Sequence, residues 1–292
     1  MTKKLKILIA GCGDVGTTAA LLLAKDHTVF GLRRSKELLP QPIITISADL
    51  SQPNTLKKLP DIDILIYCAA PNIPRENRAS LSITEKIVIY TDTYLHGFEN
   101  LITALPNPPS HIFFTSSTTV YHQCDHQLVD ENSPTEPENE TGKIMLAAEQ
   151  QILASEISAS VIRFSGIYSD TRLNMFKQVA NGKVYADSPL QYSNRIHVTD
   201  CAKVIHHLVS LVKTEHRLQP IYLASDEQPA STSVVSNWLA EQINITPSSI
   251  LKGRTTGSKR CNNSLLLASG YQFIYPSFKE GYASAIEQFI AH

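Results

Sequence analysis

Long hydrophobic runs are missing from this sequence. None approaches the roughly 18 apolar residues of a membrane span. The apolar stretch in MTKKLKILIAG breaks at Gly11, as a buried strand does and a signal peptide does not. An excess of one charge is missing too. Lys and Arg number 26 against 27 Asp and Glu, so a net charge of −1 supplies no long-range field toward nucleic acid or an acidic membrane. Paired cysteines are absent. Cys12, Cys68, Cys124, Cys201 and Cys261 lie far apart with no CxxC, which excludes a disulfide framework and a zinc-ribbon spacing. HQCDH at 122–126 gathers His122, Cys124, Asp125 and His126, but no distant ligand pair completes a metal site, and the stretch reads as polar loop. Repeats and low-complexity linkers are also lacking. These absences leave a soluble, cytoplasmic, globular protein whose partner is a small molecule, with neither nucleic acid nor membrane in play.

What is present is alternation. KILIAG (6–11), TVFGL (28–32), IITIS (43–47), DILIYCA (63–69), HIFFTSS (111–117), SVIRFSG (160–166) and IYLAS (221–225) read as strands, most of them continuously apolar. Helical patterns lie between them at 17–25, 82–105, 141–155, 199–213, 232–243 and 279–290. The second opens with Ser82 and Glu85 in capping-box spacing and stops at Pro106. Strand–helix alternation of this kind predicts an α/β fold, a doubly wound parallel sheet of the Rossmann type. After residue 166 the alternation loosens, and 250–277 shows turns with little periodicity. A small C-terminal substrate lobe is therefore expected. The nucleotide-binding domain would take 1–166 plus about 198–227, and the lobe about 167–197 plus 228–292.

GCGDVG (11–16) places Gly11, Gly13 and Gly16 in GxGxxG spacing after the first strand and at the start of the first helix, with Cys12, Asp14 and Val15 between them. Gly11 permits the tight turn, Gly13 lets a pyrophosphate approach the backbone, and Gly16 lets helix and strand pack closely. NAD sites want an acid at the end of the second strand. GLRRS puts Arg33 and Arg34 there instead, and two guanidiniums suit a 2′-phosphate. The expected cofactor is NADP(H) in preference to NAD(H).

Carried by GCGDVG (11–16), ADL (48–50), CAAP (68–71), TSSTTVY (115–121), RFSGIY (163–168), NRIHVTD (194–200) and YLASDEQP (222–229), the chain resembles the extended short-chain dehydrogenase/reductases, the NAD(P)-dependent epimerase/dehydratase family. The resemblance implies that Asp49 and Leu50 sit by the adenine and that Ala69 and Ala70 line the ribose–nicotinamide path. It implies that Ser117 is the catalytic hydroxyl that holds the substrate oxygen. It also implies a homodimer in which the helices at about 82–105 and 141–155 pair across a twofold axis. Val88, Ile89 and Tyr90, beside the main apolar stripe, suit such burial.

The family's proton donor is a Tyr followed four residues later by a Lys, whose charge makes phenolate accessible near neutral pH. Aligned on Ala148-Glu149, those positions here hold Thr141 and Met145. Aligned on Lys143, the Tyr position is Asn139. Neither register supplies a tyrosine. This pattern is similar to the atypical extended group, in a bacterial subgroup lacking the active-site Tyr and Lys, whose C-terminal stretch resembles SKRCNNSLLLASGYQFIYP (258–276). Tyr121 and Tyr168 lie in matched motifs near the expected nicotinamide and are the candidate replacements, set against plain packing beside the cleft. His197 and Asp200 could form an acid/base pair, or a structural turn with Asp or Thr as the cap of the next helix. His206 and His207 read as surface or half-buried. At 292 residues the chain is shorter than typical sugar-nucleotide epimerases of that family, which points to a smaller substrate. Two functions follow: an NADP-dependent oxidoreductase or epimerase acting on a small hydroxyl or carbonyl compound, or a non-catalytic NADP(H)-binding sensor or scaffold.

Overall fold

The continuously apolar runs become the centre of a sheet, because strands covered by helices on both faces must be apolar on both. A computed structural model describes residues 4–73, 77, 80–213, 217–253 and 257–291. In chain order its elements begin β1 (Lys6–Ala10), α1 (Asp14–Leu23), β2 (Thr28–Arg33), β3 (Ile44–Ser47), β4 (Ile64–Tyr67), α2 (Ile83–Thr91), α3 (Gly97–Ala104) and β5 (His111–Ser117). They continue with β6 (Leu128–Val129), α4 (Glu140–Leu153), β7 (Ala159–Phe164), β8 (Gly166–Tyr168), α5 (Asn174–Ala180), β9 (Lys183–Tyr185), β10 (Tyr192–Ser193), β11 (Arg195–His197) and α6 (Val198–Lys213). The last are β12 (Ile221–Ala224), β13 (Ala230–Ser231), α7 (Thr232–Gln242), β14 (Ser249–Leu251), β15 (Arg260–Cys261), α8 (Ser264–Ala268) and α9 (Phe278–Ile290).

Seven strands form one parallel sheet in the order β3-β2-β1-β4-β5-β7-β12. The doubly wound fold expected from the alternation is present. The chain runs outward from β1 to β2 and β3, then returns to the other side of β1 with β4, so the strand order reverses between β1 and β4. Register there pairs Ala10 with Tyr67, and Cys68 N–H donates to Ala10 O at 2.8 Å. Ile7 to Ala10 and Ile64 to Tyr67 are fully buried.

The chain divides into two units. Unit 1 holds Met1–Val120, Thr135–Arg163 and Ala202–Tyr222. Within it α2 and α3 run on through a π turn at Asp92–His96. The buried Tyr67 hydroxyl donates to Thr93 O at 2.5 Å there, and an added Cβ on Gly97 would meet that same hydroxyl at 2.9 Å. The capping box of Ser82 and Glu85 starts α2 as its spacing predicts. No α2 residue is buried, and Ile83 and Val88 are each more than half exposed.

Unit 2 holds Tyr121–Pro134, Phe164–Cys201 and Leu223–His292. Tyr121–Pro134, assigned from sequence to the nucleotide-binding part, falls in this unit. Phe176, Val179, Val235, Leu239, Phe278 and Tyr282 form its core. The stretch read as turns at 250–277 contains the short helix α8, while residues 254–256 lie outside the described residues. Among the described residues no helix is long and apolar enough to cross a membrane.

Candidate functional site

Gly11 lies at the end of β1 with φ +99°, a backbone conformation that side chains rarely adopt. A Cβ there would fall 2.4 Å from the Ala69 Cα and N and 2.6 Å from the Cys68 carbonyl carbon. Glycine is needed because β1 and the chain leaving β4 touch backbone to backbone. Gly16 meets the same demand from the helix side, where its Cβ would sit 2.3 Å from Gly11 O. Gly13 is different. It caps the N-terminus of α1, and an added Cβ meets nothing within 4 Å. This open ground lies at the N-terminus of a ten-residue helix, where the helix dipole favours negative charge, with Asp14 and Val15 in its first turn. The three glycines therefore make a cradle that fits a dinucleotide pyrophosphate, at the point where the strand order reverses. The Cys12 side chain turns away from this cradle toward Gly31, and burial pushes its thiol up to about 12, so it is a neutral packing group.

The flanking loops are held in place. Asp49 accepts from Ser51 N–H at 3.0 Å and Ser51 Oγ at 2.8 Å, and Asn100 Nδ2 donates to Leu50 O at 2.8 Å. Ala69 is buried against Gly11, while Ala70 is exposed. Arg33 is half-buried, with Nη2 3.5 Å from Glu37 Oε2, an exposed i,i+4 pair worth little by itself. Arg34 is exposed. The predicted cofactor positions and Ser117 lie in unit 1, while Tyr121, Tyr168, His197 and Asp200 lie in unit 2.

The hydroxyl cluster ends β5. Ser117 is half-buried, and its Oγ accepts from Thr119 N–H at 3.2 Å. Its neighbour Ser116 is anchored through a buried network that the sequence reading missed. Ser116 Oγ donates to Glu149, and Glu149 also accepts from Arg163 Nε at 3.0 Å and Nη2 at 2.6 Å. The first turn of α4 lies against this strand end, since a Cβ on Gly142 would come within 3.1 Å of Thr119 O. Neither candidate for the proton-donor position is a free acid there. Asn139 caps α4 by accepting from Gly142 N–H at 2.7 Å, and Thr141 Oγ1 donates to Asn139 Oδ1 at 2.9 Å. Met145 is buried, and Lys143 pairs outside with Glu140 at 2.7 Å.

In unit 2, Tyr121 is placed otherwise than a proton donor requires. It is 3% exposed and its hydroxyl donates to Asp130 O at 2.6 Å, which ties down the loop that follows. Tyr168 is buried against His197, Tyr282 and Gly281. Burial, reinforced by Asp226, raises its phenol well above the ordinary range. Asp200 is not a cap. It is fully buried and accepts from the Tyr271 hydroxyl at 2.7 Å and from the Ile274 and Tyr275 N–H groups at 2.9 Å, so it tethers a segment some seventy residues on. His197 does the work assigned to Asp or Thr: its Nδ1 accepts from Thr199 N–H at 3.3 Å at the start of α6. Burial lowers the pKa of His197 and keeps the ring neutral. In HQCDH, His126 Nδ1 lies 2.7 Å from Ser258 Oγ and Cys124 is exposed. Among the described residues no group of three His, Cys, Asp or Glu could hold a metal ion. His206 and His207 are half-buried on α6.

The profile of the family described as RmlD substrate binding domain matches residues 5–292. A Methylobacillus flagellatus protein assigned to the NAD-dependent epimerase/dehydratases is 34% identical, with a TM-score of 0.81, over 99% of this chain and 100% of that one. The UDP-N-acetylglucosamine 4-epimerase from Methanobrevibacter ruminantium, solved with UDP-N-acetylmuramic acid, is 16% identical with a TM-score of 0.78, over 99% of each chain. The Thermus thermophilus UDP-glucose 4-epimerase, solved with NAD, is 17% identical with a TM-score of 0.77, over 98% of this chain and 99% of that one. At these identities the two epimerases show the fold. Among curated proteins, none matches the chain.

Proposed function

The chain belongs to the RmlD substrate binding domain family, and on that premise we propose that it binds NADP(H) and acts as an oxidoreductase or epimerase on a hydroxyl or carbonyl compound. The observation that carries this reading is the cradle at the strand-order reversal, closed by backbone contact at Gly11 and open at Gly13. Bound there, a nicotinamide cofactor supplies hydride exchange. Arg33 and Arg34 at the end of β2 supply cationic donors for a 2′-phosphate, where a carboxylate would instead serve a 2′-hydroxyl. Ser117 Oγ would hold the substrate oxygen. The Gly11–Gly16 turn, Asp49–Leu50 and Ala69–Ala70 would hold the cofactor along its length.

A second reading, a non-catalytic NADP(H) sensor or scaffold, draws on a specific observation. Aligned on Ala148-Glu149, Thr141 and Met145 would take the places of the family's Tyr and Lys, and aligned on Lys143, Asn139 would take that of the Tyr; the Tyr121 hydroxyl is committed to Asp130 O. A threonine hydroxyl is far too weak an acid to replace an activated tyrosine, and a missing acid/base group removes about 10²–10⁴-fold in rate. We also propose a homodimer formed through the exposed apolar face of α2, with Ile83 and Val88 at its centre.

Thermal-shift titration with NADPH and NADH tests the cofactor assignment. NADPH stabilises more, and Arg33→Asp narrows or reverses the difference; equal shifts for both nucleotides refute it. Turnover assays with UDP-sugars and with small carbonyl compounds then separate the two functions. Activity abolished by Ser117→Ala with NADPH binding intact supports the enzyme. Tight NADPH binding with no turnover of either class supports the sensor.

A further inference from the structure

Arg195, Asp226 and Tyr168 lie within one another's field in unit 2, and their buried Arg195 Nη1 and Nη2, Asp226 carboxylate oxygens and Tyr168 Oη lack a hydrogen bond, as does the buried Ser165 Oγ on the adjoining strand end. The four residues are 4%, 1%, 6% and 3% exposed. The backbone assembles them. β8 and β11 pair in parallel, with Arg195 opposite Gly166 and His197 opposite Tyr168. Asp226 N–H donates to Arg195 O at 2.7 Å, and Ser165 N–H donates to Ala224 O at 3.0 Å. Helix α9 closes the far side. The Phe278 ring centroid lies 5.5 Å from Arg195 Cζ, and a Cβ on Gly281 would fall 1.6 Å from Tyr168 Oη.

A guanidinium and a carboxylate buried together in a low-dielectric interior ordinarily touch. Here no direct hydrogen bond joins them, although each lies within the other's field. Leaving the Arg195 nitrogens bare and the Asp226 oxygens with no closer donor than the Gln228 N–H is costly. A neutral molecule that both donates and accepts satisfies Arg195 and Asp226 at once, and two to four polar partners are what a buried water needs. We infer that Arg195 and Asp226 form a water-bridged pair, an internal site in unit 2 that takes ordered water. The groups facing Asp226 are Arg195 from β11, Tyr168 from β8, Asp200 from α6, Cys261 from β15, Tyr282 from α9 and the adjoining Glu227. Burial pushes the Asp226 carboxyl up to about 7. Arg195 and the nearby Gln228 N–H oppose the rise, while Asp200 and Glu227 add to it.

A high-resolution crystal structure of the full chain soaked in sodium bromide tests the occupant. Solvent density within hydrogen-bonding distance of both Arg195 Nη and Asp226 Oδ, without an anomalous bromide signal, is the expected result. A contact ion pair, or a bromide peak at Arg195, overturns the proposal. Carboxyl-carbon NMR of the wild-type protein reads the proton directly. One aspartate titrating near neutrality is expected, and all aspartates titrating below pH 5 would refute the inference. Asp226→Asn adds a stability readout. The folded pKa lies above the unfolded value of 3.8, so the folded state binds more protons between about 4 and 7, and stability from this group falls as pH rises through that window. The melting temperature of wild type relative to Asp226→Asn should therefore drop from pH 5 to pH 8, and a constant difference counts against the site.

Discussion

Two glycines of one turn should fail in opposite ways when each becomes alanine. At Gly11 the new methyl would lie 2.4 Å from the Ala69 backbone, roughly 1 Å inside ordinary contact, and nothing flexible is there to give way. The φ of +99° adds its own cost. Strain of about 1–2 kcal/mol for the backbone and about 1–3 kcal/mol for overpacking give a loss of about 2–5 kcal/mol. For a chain of this size that lowers the melting temperature by about 3–8 °C. At Gly13 the methyl meets nothing, so the fold loses no more than about 1 kcal/mol, from a poorer helix cap. The loss there falls on the ligand. One charge-assisted hydrogen bond to a phosphate is worth about 1.5–3 kcal/mol, so Gly13→Ala should weaken NADPH binding by about 10–100-fold. Differential scanning fluorimetry without nucleotide, followed by calorimetric titration with NADPH, separates the two. A Gly11→Ala protein that melts like wild type, or a Gly13→Ala protein that binds NADPH like wild type, would refute the account of the cradle.

Glu149→Ala strips Arg163 and Ser116 of their shared buried carboxylate and should cost about 3–5 kcal/mol in urea unfolding, and a loss below about 1 kcal/mol contradicts the network. Val88→Glu puts a charge on the exposed face of α2 and should give monomers by sedimentation at micromolar concentration; a wild-type monomer removes the proposed dimer. His111 bridges Ser158 and Ser160 at 3.0 and 3.2 Å, and burial lowers its pKa to about 4. Its folded pKa lies below the unfolded 6.5, so its stabilisation is complete above pH 6.5 and is lost as pH falls toward 4. NMR of the His111 ring should show no titration between pH 8 and pH 5, and a midpoint near 6.5 disproves this.

The sequence by itself determined the sheet, the helices between its strands and the nucleotide cradle. Each of these is written over short distances. The apolar runs of β1, β4 and β5 announce strands covered on both faces, Ser82 and Glu85 announce the start of α2, and Gly11, Gly13 and Gly16 lie within six residues. Tertiary structure alone decided what the polar side chains do. Asp200 sits in a motif that reads as a helix start, yet its carboxylate is consumed by Tyr271, Ile274 and Tyr275. Tyr121 reads as a cleft tyrosine, yet its hydroxyl goes to Asp130 O. Ser116, Glu149 and Arg163 come from three elements, and Arg195 and Asp226 meet only because β11 and the chain after β12 lie side by side. A buried donor or acceptor takes whichever partner the packed fold brings within about 3 Å, and that partner stands at no fixed distance along the chain.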